Sequence, residues 1–274
     1  MERWSSHAKR WVTGLGLALP LIALLAWGPL WLWAAVVTAA ACMGLWEYEN
    51  MVQERVPPRP WWIFCLGTGA LFPPAAYFLG PVGLLAAAVG SVFVMLLVQL
   101  AQAPLTRPAL ARGLSSLGGW MYVCLPLSFV LLLGTLPHGR AWVFYVLVII
   151  VAGDTGAFYT GRRFGRRKLY EAVSPKKTME GSAGGLAASM AVGTAFGLAF
   201  LHESGAGALH FLLLSAVVEL VGQVGDLMES LLKRMAGAKD SSNLLPGHGG
   251  LLDRLDSLLF AFPLTWFFAE RLYH

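Results

Sequence analysis

Between Asp226 and Asp256 the sequence reads DLMESLLKRMAGAKDSSNLLPGHGGLLDRLD, and five of the chain's fifteen acidic residues fall inside it: Asp226, Glu229, Asp240, Asp253 and Asp256. Asp253 and Asp256 are three positions apart, so a helix presents them on one face. Carboxylates without a cysteine or histidine cluster favour a hard, oxygen-ligated cation, and Mg²⁺ is the expected ion for Asp226, Asp253 and Asp256. The loop between them carries Lys239 beside Asp240, then the turn Pro246-Gly247-His248-Gly249-Gly250. Gly249 and Gly250 permit close backbone approach, and the helix start that follows offers N–H donors suited to phosphate. A single His248 among glycines is a poor metal set and a fair phosphate donor. A cation, basic side chains and aligned N–H donors together are the equipment for handling phosphate groups.

Three upstream features extend this set. Asp154 ends a long apolar run in VAGDTGAFYTGRRFGRRKL, and an acid at that depth in a bilayer is costly and by default functional. The segment Ser174-Pro175-Lys176-Lys177-Thr178 reads as a rigid loop before a helix N-terminus, with Lys176 and Lys177 as phosphate ligands. Glu219, Gln223, Asp226, Ser230 and Lys233 recur at helical spacing, so they form one polar stripe on an otherwise apolar helix. Such a stripe, running from within the bilayer towards the cytoplasmic end, lines a hydrated cavity.

The elements that carry these residues are membrane helices. The 274 residues are 57% hydrophobic and 13% charged, against about 25% charged in a typical soluble domain. A span needs about 20 mainly apolar residues. Nine candidates follow, at approximately 11–27, 30–47, 61–79, 82–101, 118–134, 141–160, 182–202, 208–227 and 256–271, with tight turns at Gly28-Pro29 and Gly80-Pro81. The first is a retained span rather than a cleaved signal peptide, because it runs directly into more apolar sequence. With the N-terminus in the cytoplasm, eighteen of the twenty Lys and Arg residues lie on the cytoplasmic side, leaving Arg140 and Arg271 outside. The net charge of +5 is then a membrane-surface charge suited to anionic lipid headgroups, and nucleic acid is not an expected partner. The three cysteines lie far apart in apolar runs and read as buried small residues. The expected architecture is all-α and polytopic. Residues 1–140 form a scaffold of five spans for lipid or homodimer contact; residues 141–274 form a catalytic part with cytoplasmic loops 161–181 and 228–255.

From Ser230 to Asp256 the pattern is S-x-x-K-R-x₄-K-D-x₅-P-G-H-G-G-x-x-D-R-x-D. It closely resembles the signature of phosphatidate cytidylyltransferases (CDP-diacylglycerol synthases), and the GDTGAFYTGRRFGRRKL and SPKKTMEG segments look like that family's other motifs, in the same order. The likeness covers roughly 150–260, while the first 140 residues agree only in being multi-spanning. Met179 stands where the family commonly has tryptophan, and Ser242 where glycine is common. The resemblance implies transfer of a cytidylyl group from CTP to phosphatidate, releasing pyrophosphate, on the cytoplasmic face of a bacterial inner membrane. It implies a metal centre of Asp226, Asp253 and Asp256 holding Mg²⁺, with a second cation as a companion. On this reading Lys239, Asp240, His248 and Arg254 serve the triphosphate and leaving pyrophosphate, while Asp154, Ser174, Lys176, Lys177, Gly249 and Gly250 contact substrate. Two other activities fit parts of the pattern. A CTP-dependent polyprenol or phytol kinase, or a cytidylyltransferase for another lipid phosphate, would use similar phosphate ligands. A transporter would also carry intramembrane acids, but near the midplane and with repeat symmetry, whereas here they gather at one face.

Overall fold

A computed structural model describes residues 6–53, 57–102, 106–245 and 249–273. The fold is helical, with eleven α-helices among the described residues and one small antiparallel hairpin. It divides into two compact units, Met1–Leu132 with Ala236–Arg254, and Leu133–Met235 with Leu255–His274. By length and composition, six helical stretches among the described residues are apolar enough to cross a membrane.

The first unit holds α1 (Ser6–Trp27), α2 (Leu30–Val52), α3 (Arg59–Gly69), α4 (Phe72–Ala101) and α5 (Arg107–Gly119). The expected third and fourth spans fall in one apolar run, Arg59–Ala101, of 43 residues. The sequence turn at Gly80-Pro81 is present as a kink rather than a loop: Gly80 takes φ +63°, which a side chain would resist, and the helix resumes at once. Helix α5 is capped by Thr106, whose hydroxyl accepts from Ala109 N at 3.3 Å. It continues through one π-turn (Trp120–Cys124) into α6 (Leu125–Thr135). The core is aromatic: Trp33, Trp120 and Phe72 are fully buried, and Phe64 stacks edge-on between buried Trp61 and Trp120. The buried indoles find polar partners, Trp120 Nε1 donating to Cys65 O at 2.9 Å and Trp61 Nε1 to Ser116 Oγ at 3.2 Å. Cys65 and Cys124 are buried free thiols and Cys42 is half-buried.

The second unit is built on α7 (Gly139–Phe164), α8 (Met179–Phe200) and α9 (Ala208–Met235). Helix α8 buries Gly181, Gly185, Ser189, Gly193 and Gly197, a small residue every fourth position. That seam lets the backbones of α7 and α9 approach closely, the usual device where lipid supplies no hydrophobic drive. Below it, Trp142, Tyr145, Ile149 and Phe211 close the core, with Tyr145 Oη 2.8 Å from Ser215 Oγ. Residues 168–178, expected as loop, form a hairpin of β1 (Lys168–Tyr170) and β2 (Ser174–Thr178), registered Lys168 to Thr178 and Tyr170 to Ser174. Glu180 fastens its base by accepting from Arg166 N at 3.0 Å and Arg167 N at 3.2 Å. The expected ninth span is broken at Phe260 into α10 (Leu252–Leu259) and α11 (Ala261–Tyr273), and the division between units falls inside α10.

Candidate active site

In the second unit α7, β2, α8, α9 and the residue after Asp256 enclose a cavity of about 550 Å³, within the range that holds small ligands. Its polar wall comes from Asp154 on α7, Lys176, Lys177 and Thr178 on β2, Ser182 on α8, and Glu219, Gln223 and Asp226 on α9. Ile150, Ala157, Phe158 and Leu169 supply apolar surface. The stripe read from the sequence is therefore a cavity wall from Glu219 to Asp226. Ser230 lies beyond it and donates to Asp226 Oδ1 at 3.3 Å, and Lys233 pairs with fully buried Glu229.

Glu219, Gln223, Ser182, Lys177 and Asp226 of that wall have defined partners. Glu219, 3% exposed, accepts from Ser189 Oγ at 2.9 Å and from Gln223 Nε2 at 2.8 Å, and Ser182 Oγ donates back to Gln223 Oε1. Gly153 and Gly185 lie against the Glu219 carboxylate, and a methyl group at Gly153 would overlap it. At the other end, Lys177 Nζ is 2.5 Å from Asp226 Oδ2, both side chains 28% exposed. On α10, which lies outside the six candidate spans, burial and then the charge of Asp226 push the Asp256 carboxyl up to about 7. A carboxyl that resists ionising beside the charge of Asp226, with a lysine already drawn to Asp226, marks a place that seeks positive charge. The donors are all oxygen, so the place suits a hard divalent ion. Among the described residues no three His, Cys, Asp or Glu side chains are gathered as a metal cluster. Ser174, paired with Tyr170 at the start of β2, does not line the cavity. The expected donor at the start of α8 is engaged: Gly181 N donates to Thr178 Oγ1 at 3.1 Å.

The loop 236–254 belongs to the first unit and is held by two carboxylates. Asp253 Oδ2 accepts from Ser241 N at 2.9 Å, Ser241 Oγ at 2.9 Å and Gly250 N at 2.8 Å. Glu47 on α2, fully buried, accepts from Leu251 N at 2.9 Å, Leu252 N at 2.6 Å, Ser242 Oγ at 2.6 Å and Ser241 Oγ at 3.3 Å. The N–H groups expected to meet phosphate at Gly250 and the start of α10 are thus occupied by protein acceptors. Gly249 takes φ +78°, and its carbonyl receives Leu245 N at 2.8 Å. Lys239, Asp240 and Arg254 are exposed on this loop. His248, Gly247 and Pro246 lie outside the described residues. Glu47 was not among the residues singled out for chemistry; its only sequence signal is an acid, with Glu49, at the end of an apolar run.

Residues 8–272 match the model of the cytidylyltransferase family. The chain is 34% identical over 272 residues to the phosphatidate cytidylyltransferase of Mycobacterium bovis, covering 93% of this chain and 85% of that one. It is 43% identical over 130 residues to the phosphatidate cytidylyltransferase of Bacillus subtilis, and 42% over 134 residues to that of Haemophilus influenzae. Those two matches take in 47% and 48% of this chain and only about half of each relative, 48% and 46%.

Proposed function

Because the chain belongs to the cytidylyltransferase family, we propose that it transfers the cytidylyl group of CTP to phosphatidate, forming CDP-diacylglycerol and pyrophosphate at the cytoplasmic face of a bacterial inner membrane. The observation that carries this reading is the cavity that joins the Lys176–Lys177 pair and Asp226, whose charge acts on Asp256 just outside the lining, to an apolar wall among helices apolar enough to span a membrane. Basic groups and a cation-seeking acidic site fit phosphates, and the apolar wall fits a lipid.

In the reaction, a phosphate oxygen of phosphatidate attacks the α-phosphorus of CTP, the new P–O bond forms, and the bond to the β-phosphate oxygen breaks. The nucleophile is already ionised at neutral pH and needs no dedicated base. The difficulty is to bring two polyanions together and to stabilise the charge on departing pyrophosphate, which positioned cations and donors accomplish. Lys176 and Lys177 lower the repulsion at the cavity, with Asp154 on the facing helix orienting the bound group. Lys239, Arg254 and His248 neutralise the triphosphate, with Asp240 beside Lys239 in the same reacting set, and Gly249 and Gly250 allow close approach of the substrate. Asp226 and Asp256, with Asp253 one turn earlier on α10, are the residues to hold Mg²⁺, which supplies Lewis-acid neutralisation of the phosphate oxygens when bound. Purified protein mixed with CTP, phosphatidate and Mg²⁺ should yield CDP-diacylglycerol, and added EDTA should stop it. Absence of that product with active, correctly inserted protein would sink the proposal.

A further inference from the structure

We propose that Glu47, a residue of the N-terminal helices, is a positioning residue for Asp253 and for the loop that carries the signature. This rests on the activity proposed above, and its structural half can be tested without it.

A buried carboxylate in a membrane helix is costly unless it is well bonded. Glu47 is fully buried, and its two oxygens face four donor groups, every one of them from residues 241–252, the Ser241 hydroxyl sharing its one proton with Asp253. Oε1 takes Ser242 Oγ and Leu251 N, and Oε2 takes Ser241 Oγ and Leu252 N. The two backbone donors are the orphan N–H groups at the start of α10, so Glu47 does from 204 and 205 residues away what a local cap does in an ordinary helix. The site is also shaped to admit it. Gly250 leaves no space for a side chain, since a Cβ there would stand 2.6 Å from Glu47 Oε1 and would overlap Ser241 Oγ.

The consequence reaches Asp253 through Ser241. The Ser241 hydroxyl lies 3.3 Å from Glu47 Oε2 and 2.9 Å from Asp253 Oδ2, and Ser241 N and Gly250 N hold the same Asp253 oxygen. Glu47 therefore grips both flanks of the cradle, at 241–242 and at 251–252, while Asp253 bridges them from inside. With Oδ2 fixed by three donors, the direction of Oδ1 is set by the loop rather than by a free rotamer. Ser242 contributes one of the four donors to Glu47 and accepts Leu244 N at 3.0 Å. It makes this chain's anchor stronger than backbone donors alone would.

Glu47→Gln in the full chain, in detergent micelles, is the test. The amide places an NH₂ group against N–H and hydroxyl donors, so two of the four bonds are lost. Hydrogen exchange at Leu251 and Leu252 should rise roughly tenfold to a hundredfold, with α7 and α8 unchanged. In the same variant, turnover should fall by about tenfold or more, and half-maximal activity should need a higher Mg²⁺ concentration, because Asp253 loses its fixed orientation. Ser242→Gly should show the same pattern with a smaller amplitude. Unchanged exchange at 251–252, or a rise spread equally over α7 and α8, would overturn the anchor. A loosened loop with wild-type turnover and Mg²⁺ dependence would overturn the positioning role. If the wild-type protein makes no CDP-diacylglycerol, the proposed function fails while the exchange comparison still decides the anchor.

Discussion

Asp253 has two tasks that two substitutions can separate. Its Oδ2 accepts three hydrogen bonds from Ser241 and Gly250, and its remaining oxygen is the one proposed to face a cation. Asp253→Asn retains a carbonyl oxygen with two lone pairs, enough for Ser241 N and Gly250 N, but removes the charge. A bond to an ionised acceptor is worth about 1 kcal/mol more than a neutral one, so weakening these two and giving up the Ser241 hydroxyl bond costs the loop about 3 kcal/mol. Asp253→Ala leaves the buried Gly250 N–H and the Ser241 N–H with no acceptor, at about 1–3 kcal/mol each, on top of the lost bonds. The alanine variant should thus melt several degrees below the asparagine variant, which should melt somewhat below wild type. Turnover should separate from stability: both variants lack the anionic oxygen and should lose at least about a hundredfold in activity. Thermal unfolding and CDP-diacylglycerol formation, measured on the same purified samples, check both halves. Asparagine at more than a tenth of wild-type turnover would refute the cation role, and equal melting of the two variants would refute the anchoring role.

Three further outcomes follow from the second unit. Lys177→Met removes the cation beside Asp226 and should lower kcat/KM by about ten- to a hundredfold, with partial recovery in Lys177→Arg, as read by steady-state kinetics. A carboxyl raised to about 7 in the fold from about 4 when unfolded destabilises the ionised protein. That penalty is absent below pH 4, grows as pH rises, and is complete above pH 7. Melting in EDTA should therefore fall between pH 5 and pH 8, with Mg²⁺ restoring more at pH 8; a flat profile would contradict the Asp226–Asp256 pairing. Gly153→Ala puts a methyl group into the Glu219 carboxylate and should cost about 1–3 kcal/mol by overpacking, seen as a lower melting temperature.

Local periodicity made much of this legible in the sequence. The stripe Glu219, Gln223, Asp226 is one helix face because helical spacing allows nothing else, and the structure makes it a cavity wall. The Gly80-Pro81 turn was visible as punctuation, but whether it opens a loop or only bends α4 depends on packing. The small-residue seam of α8, Gly181 to Gly197, was there to be read at every fourth position and explains how three helices approach closely enough to form the site. Long-range pairings were not legible. Nothing near Glu47 says that it caps a helix some 204 residues away, and nothing near Gly250 says that its N–H faces Asp253 rather than a phosphate. The hairpin at 168–178 was hidden for another reason: its lysines and Pro175 mask the short strand pairing, which Glu180 fixes from outside.

The central claim is cytidylyl transfer to a lipid phosphate, and the fate of the α-phosphorus of CTP tests it most directly. Protein in phosphatidate-containing micelles with Mg²⁺ and CTP labelled at the α-phosphate should move the label into a chloroform-soluble product while unlabelled pyrophosphate is released. Label that stays in water-soluble CDP, with the γ-phosphate appearing on the lipid, would contradict the account and make the protein a CTP-dependent lipid kinase.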